Sequence, residues 1–283
     1  MHQQCNRFPP DAKAIYSRKK IRMDRFTLAR GLVCQAGATL RKTRIENDAV
    51  MQKTDHQDLV TRFDRETEQF LRKNILSRFP EDTLVGEEYP ADVHGPGRVV
   101  WYIDPVDGTT NFINEHRNYA VSVGCWQAGA PLFGLVLDVE RQALYAAQAG
   151  QGAFCGNTPL HVSSRAAVAE LLLTTPGIQY TFLLDHPRRA GLRRLAADVR
   201  GVRSLGSVAL ELCAVAVGEA DAFIAMRSSP WDHNAARIIL AEAGGSLCTL
   251  SGEPLPQSHT GPVLAANSPA LLQTLVKTYC GAE

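Results

Sequence analysis

The run Val99-Val100-Trp101-Tyr102-Ile103 ends in Asp104-Pro105-Val106-Asp107-Gly108-Thr109-Thr110-Asn111-Phe112, an apolar stretch that stops abruptly at two carboxylates, a proline and a glycine. Its residues are β-branched and aromatic and too few for a helix, so it predicts a buried strand that delivers charge at its end. Pro105 has no N–H to give a ladder and is expected to stop strand pairing directly after Asp104. Asp107-Gly108 is a turn signal, and Thr109 or Thr110 is placed to cap a short helix whose first N–H groups lack intrahelical partners. Hard oxygen ligands for a divalent cation thus stand beside free donors for an anion, which is what metal-assisted phosphate chemistry requires. An Asp-Gly turn after a strand is ordinary by itself, and the weight comes from the rest of the chain.

Acids recur at other element ends. Gly86-Glu87-Glu88 follows a short predicted strand through Leu84-Val85, a short connection ahead of the Asp104 strand. Thr61 followed three residues later by Asp64 is a capping-box signature ahead of a helix through Thr67, Phe70, Leu71 and Ile75 that stops before Pro80, and that structural role would suffice for Asp64. Asp232, in Pro230-Trp231-Asp232-His233, begins a helix with a stripe at Ala235, Ile238, Ile239 and Ala243 that closes at Gly244-Gly245. Its plain role is a helix N-terminal charge worth a few tenths of a kcal/mol, and His233 reads as an exposed neighbour.

These acids need elements to hold them. Residues 1–23, with Pro9-Pro10 and Arg18-Lys19-Lys20, read as a flexible extension. From Asp24 a helical period (Phe26, Ala29, Leu32, Val33, Ala36, Leu40) predicts a first amphipathic helix. Ala120 to Trp126, Pro131 to Asp138 and Ala143 to Ala147 read as antiparallel strands separated by turns such as Ala128-Gly129-Ala130. Beyond residues 160–166 strand and helix alternate: Leu171 to Thr174, a helix around Arg188 to Val199, a strand near Val202 to Leu205, and a helix from Ser207. Two subdomains follow, 24–163 with most of the acids and 164–283 contributing Asp232.

With 283 residues, 45% hydrophobic and 21% charged, the chain is long enough to bury a substantial core. A formal net charge of +1 gives no reason to expect nucleic acid or an anionic membrane as a partner. Arg188-Arg189 with Arg193-Arg194 is the one basic cluster of note, and at helical spacing it reads as a solvated face. Seven cysteines without a CxxC pair read as reduced thiols. The most apolar helical stretch, Val208 to Val217, is short and carries Glu211, so a soluble, cytoplasmic protein is expected.

Taken in order, Asp58-Leu59-Val60-Thr61 with Asp64, Gly86-Glu87-Glu88, Asp104 to Phe112, Glu219-Ala220-Asp221-Ala222-Phe223, Trp231-Asp232 and Glu242-Ala243-Gly244-Gly245 resemble the inositol monophosphatase family of lithium-sensitive, magnesium-dependent phosphatases. The likeness runs from about Asp24 to near the C-terminus. It implies an α/β fold, a layered αβαβα sandwich, usually as a homodimer. It implies that Glu87, Asp104, Asp107, Asp232 and the Val106 carbonyl hold two or three Mg²⁺ ions. Asp64 and Thr109 would orient the attacking water, with Glu87 beside them as a catalytic group. Glu87, Val106, Asp107, Gly108, Thr109, Gly206, Ser207 and Asp232 would face the substrate, and Lys53 would stand near the site. Carboxylates within ~4 Å repel by about 4 kcal/mol per pair at an effective dielectric near 20, a cost that bound cations remove.

Two positions narrow the substrate. Family members acting on 3′-phosphorylated nucleotides commonly carry a lysine where this chain has Thr110, and animal members place a sugar-binding glutamate where it has Ala225. An inositol-1-phosphate phosphatase is the leading expectation, with fructose-1,6-bisphosphate, histidinol phosphate or a broad range of sugar phosphates open. A catalytically silent scaffold of the same fold would be expected to have lost a metal carboxylate, and none is missing. Asp107→Asn and Asp232→Asn are expected to abolish turnover and spare the fold.

Overall fold

The computed structural model describes residues 19–43, 50–52, 59–91, 98–183 and 185–281; Lys53, Asp58 and the Thr61 side chain lie outside the described set. The first helix, α1 (Lys19–Lys42), begins five residues ahead of Asp24, because Lys, Ile, Arg and Met sustain a helix that the apolar period alone did not mark. Ala29, Leu32, Val33, Ala36 and Leu40 form its buried stripe. A short antiparallel pair, β1 (Val50–Gln52) and β2 (Leu59–Thr61), leads directly into α2 (Arg62–Arg78).

The first sheet has seven strands in sequence order: β3 (Thr83–Gly86), β4 (Val99–Asp107), β5 (Ala120–Gln127), β6 (Ala130–Asp138), β7 (Ala143–Gln148), β8 (Ala153–Cys155) and β9 (Thr158–Pro159). β3 and β4 run parallel and the others antiparallel. Between β4 and β5 lies the six-residue helix α3 (Thr109–Asn114). The β5–β6 hairpin turns through Ala128 (φ 50°) and Gly129 (φ 83°), whose paired left-handed conformations match the strand twist.

The second sheet runs β11 (Gly201–Arg203), β10 (Leu172–Thr174), β12 (Ala222–Ala225), β14 (Val263–Ala266), β13 (Ser246–Thr249). Helices α4 (Arg189–Asp198) and α5 (Val208–Val217) carry the crossovers that keep β10, β11 and β12 parallel. α6 (Pro230–Glu242) and α7 (Pro269–Tyr279) complete the chain.

Three apolar layers bind these parts into an αβαβα sandwich. α1 and α2 pack on one face of the first sheet through Trp101, Ile103, Val121 and Phe133. α5 and α6 fill the space between the sheets, meeting Tyr102, Trp126 and Val136 on one side and Phe223, Ala225 and Val263 on the other. α4 and α7 cover the outer face of the second sheet. α6 lies unusually close to the first sheet, because Gly124 and Gly134 pair across β5 and β6 beneath Ala235. A Cβ on Gly134 would stand 2.1 Å from the Ala235 carbonyl oxygen, and one on Gly124 2.9 Å from its nitrogen. This bare patch lets α6 bring its first turn, with Asp232, down to the sheet.

Candidate active site

The end of β4 is where the acids gather. Asp104 pairs opposite Ser122 and Asp107 opposite Ala120, so Pro105 and Val106 form a bulge. Strand pairing therefore resumes at Asp107 instead of ending at Asp104. The Val106 N–H donates to Asp104 Oδ1 at 3.0 Å, which fixes that carboxylate across the bulge. Gly108 (φ 95°) then reverses the chain and itself occupies the N-cap of α3, so neither Thr109 nor Thr110 caps the helix. Only glycine reaches that conformation without strain, and a Cβ would stand 3.0 Å from the Asn118 carbonyl. Thr109, freed from capping, places its hydroxyl oxygen 3.1 Å from both Asp64 Oδ1 and the Val106 carbonyl oxygen.

Two carboxylates three residues apart meet opposite environments. Asp104, 2% exposed, is held well above the usual carboxylate range by burial and then by Glu87, Asp107, Asp232 and Asp64. All five sequence-predicted acids thus stand within electrostatic reach of one point. Asp107 is pushed up only to about 6: burial raises it, and donors from the start of α5 oppose the shift. Its Oδ2 accepts from the Ser207 hydroxyl (2.5 Å) and the Ala209 N–H (2.6 Å), and its Oδ1 from the Val208 N–H (3.2 Å). Asp107 thereby ties the end of β4 to a helix N-terminus, where negative charge is favoured. Ser207 spends its hydroxyl on that clamp and caps α5 by accepting from the Leu210 N–H.

Asp232 is the third residue of α6 and accepts the Ser229 N–H at 2.7 Å in a capping box. Glu87 follows β3, whose Gly86 is packed against the carboxylate of Glu68. Among the described residues no three His, Cys, Asp or Glu side chains converge closely enough to hold an ion as they stand. The donor set still fits a hard divalent cation: it is all oxygen, and the negative charge around Asp104 is what such a cation would neutralise.

Residues 23–281 match the model of the inositol monophosphatase family. The inositol-1-monophosphatase of Bacillus subtilis is 38% identical over 259 residues, 90% of this chain and 96% of the relative. The chain belongs to the inositol monophosphatase family. It is, as such, a phosphoric monoester hydrolase. The crystal structure of inositol monophosphatase II from Staphylococcus aureus superposes with a TM-score of 0.80 at 32% identity, covering 90% of this chain and 92% of that one. An IMPase/NADP phosphatase crystallised with Mg²⁺ and phosphate shares the fold at 22% identity, with a TM-score of 0.81 over 92% of this chain and 96% of that one.

One sequence expectation needs correction here. His233 is fully buried, not exposed: its Nδ1 lies 2.8 Å from the Ser228 hydroxyl, and burial first, then Arg237 and His259, lower it to about 3. The chain around Gln257 to Pro262 folds over the start of α6, where Asn234 donates to the Gln257 carbonyl. The basic cluster keeps Arg193 and Arg194 exposed, in keeping with a solvated face, while its guanidinium groups also serve nearby carbonyls. Arg188 and Arg193 donate to the carbonyls of Cys280 and Phe182 at 2.7 Å, Arg194 donates to that of Thr278, and Arg189 pairs with Asp185. No helix among the described residues is long and apolar enough to cross a membrane.

Several residues that shape the site escaped the sequence reading. Asn111 donates to the carbonyls of Asn118 (2.8 Å) and Leu205 (2.6 Å), stitching α3 to the segment before α5. Glu211, fully buried, accepts the Leu205 N–H (2.6 Å) and the Gly206 N–H (3.1 Å) through one oxygen, and so braces Gly206 from beneath. Glu68 accepts the Glu88 N–H at 2.7 Å. Its signal was present in the sequence as the i, i+4, i+8 row Asp64, Glu68, Arg72.

Proposed function

We propose that this protein is a Mg²⁺-dependent phosphatase of inositol-1-phosphate and related sugar-phosphate monoesters, acting by in-line attack of water without a covalent phosphoenzyme. The observation that carries the reading is the Asp64–Thr109–Val106 contact beside the acid cluster centred on Asp104. With its proton directed to Asp64 or the Val106 carbonyl, the Thr109 hydroxyl keeps a lone pair to accept a hydrogen bond from a water and hold that water in one orientation. The peptide N–H groups at the turn from Gly108 to Thr110 face the phosphoryl oxygens as charge develops on them. Water then attacks phosphorus opposite the ester oxygen, and the phosphorus–ester bond breaks to release the alcohol and phosphate. Two or three Mg²⁺ ions held by Glu87, Asp104, Asp107, Asp232 and the Val106 carbonyl would supply Lewis-acid charge and a lowered water pKa.

Ala225 offers no carboxylate to sugar hydroxyls; it ends β12 at 1% exposure, in the core shared with the inner helices. Recognition by paired hydroxyls therefore rests on other groups, and the enzyme is expected either to accept several monoesters or to prefer one lacking the inositol hydroxyl pattern. Family kinship further supports a homodimer, inhibition by Li⁺, cytoplasmic residence, and an organisation into parts 24–163 and 164–283 built on the two sheets. The test is phosphate release from inositol-1-phosphate, fructose-1,6-bisphosphate, histidinol phosphate and β-glycerophosphate, with Mg²⁺ or with excess chelator. Turnover of more than one ester, or of one lacking the inositol hydroxyl pattern, is expected, and chelator should abolish it. Undiminished release in chelator would overturn the metal mechanism.

A further inference from the structure

Asp64, Glu68 and Arg72 recur one turn apart along one face of α2. Asp64 receives the Thr109 hydroxyl, Glu68 accepts the Glu88 N–H through Oε2, and Arg72 donates to the Pro90 carbonyl at 2.8 Å while pairing with Glu68 Oε1 at 3.0 Å. The Glu68–Arg72 pair could be an ordinary helix ion pair, but three features say otherwise. Glu68 is fully buried, where a lone structural carboxylate is costly and an apolar residue would pack as well. Its second oxygen goes to the loop carrying Glu87, twenty residues away in sequence, not to its own helix. A Cβ on Gly86 would lie 2.2 Å from Glu68 Oε1 and 2.4 Å from its Cδ, so the end of β3 is built around this carboxylate.

We propose that Glu68 is a positioning residue for Glu87, holding the backbone one residue beyond it so that the Glu87 carboxylate is aimed at the cation. This rests on the reading of Glu87 as a metal ligand. Residues that orient ligands in this way change metal affinity by about 10–100-fold when removed. Glu68→Gln keeps an oxygen able to accept the Glu88 N–H but loses the charge facing Arg72, while Glu68→Ala loses both.

The experiment titrates Mg²⁺ against wild type, Glu68→Gln, Glu68→Ala and Glu87→Gln, reading the melting temperature of the full-length protein without substrate alongside kcat and substrate KM. A Mg²⁺ midpoint raised about 10-fold or more in Glu68→Ala, by less in Glu68→Gln, with kcat recovered at high Mg²⁺ and substrate KM unchanged, is expected. An unshifted midpoint in both Glu68 variants while Glu87→Gln is shifted overturns the positioning role and leaves the site intact. An unshifted midpoint in Glu87→Gln overturns the ligand assignment itself. If Glu68→Ala does not fold, the Glu68→Gln midpoint decides alone. A kcat lost at every Mg²⁺ concentration without a midpoint shift also overturns the proposal, because it marks a purely structural residue.

Discussion

The two walls of the site solve the problem of buried charge in different ways. The wall built from α2, β3 and β4 concentrates carboxylates, and Asp104 there meets burial plus four like charges. The wall built from the start of α5 brings donors, and Asp107 there takes hydrogen bonds from Ser207, Val208 and Ala209. One side sets like charges against one another, and the other answers its charge with donors from within the protein. The difference teaches that the acids of this site are not interchangeable. Asp107 ties the end of β4 to the start of α5 through three donors, whereas Asp104 accepts the Val106 N–H of its own bulge and Asp232 the Ser229 N–H of its own capping box.

The sharpest way to break that comparison is to neutralise one acid that the donor wall holds and one that it does not. Asp107→Asn and Asp232→Asn should each lower turnover by about 10³-fold, the scale of losing one preorganised electrostatic group. Their stabilities should part, contrary to the expectation from sequence that both spare the fold. An amide at 107 must turn its NH₂ toward donors that the carboxylate accepted, leaving at least one buried N–H unsatisfied at a cost of about 1–3 kcal/mol. An amide at 232 can still accept the Ser229 N–H through its oxygen, so the cost should be about 0.5 kcal/mol. Urea midpoints measure the split, and an Asp107→Asn protein as stable as wild type would show that the donor wall is not holding the carboxylate.

A second, smaller effect tests how Asp232 reaches the first sheet. Gly134→Ala places a methyl group 2.1 Å from the Ala235 carbonyl and must lift α6 from β5 and β6. Overpacking of this kind costs about 1–3 kcal/mol. Because Asp232 rides on the displaced helix, turnover should fall by about 10-fold or more under conditions where the variant remains folded. The same substitution at Gly129, in the exposed hairpin turn with nothing within 4 Å of its Cβ, should leave turnover unchanged. Equal activity of the two variants would mean that the glycine patch does not set the position of Asp232.

What could be read from the sequence follows the same division. Asp104, Asp107, Glu87 and Asp232 were legible because each sits where an apolar strand or helix pattern starts or stops, which is local information. The fold around them was legible for a similar reason, since β5, β6 and α6 each carry their own period. Gly124 and Gly134 were not legible, because their reason is a helix backbone about a hundred residues further on. His233 was misread because the first turn of a helix is ordinarily exposed, and only the later segment through Gln257 and His259 covers it. Glu211 was visible only as a polar interruption of an apolar helix, with no local sign that its carboxylate turns back to the Leu205 and Gly206 N–H groups.

Glu211 gives the finest test of the donor wall. Burial raises it to about 8 from an ordinary 4.5, against the opposing Leu205 N–H, Thr174 hydroxyl and Gly206 N–H, with Asp107 adding to the rise. Its Oε2 makes no hydrogen bond of proper length, and neither does the Thr174 hydroxyl. The folded protein therefore holds a proton on Glu211 that the unfolded chain releases above about pH 4.5. Stability from this group is complete below pH 4.5, declines as pH rises toward 8, and is level beyond it, by at most about 5 kcal/mol in all. Glu211→Gln keeps an oxygen for the Leu205 and Gly206 N–H groups and offers an amide N–H toward Thr174, with no proton to lose. Its melting temperature should match wild type near pH 5 and exceed it at pH 8 to 9. Parallel pH profiles for the two proteins would show that the brace beneath Gly206 is already ionised, and that the wall carries a charge where a neutral acid is inferred.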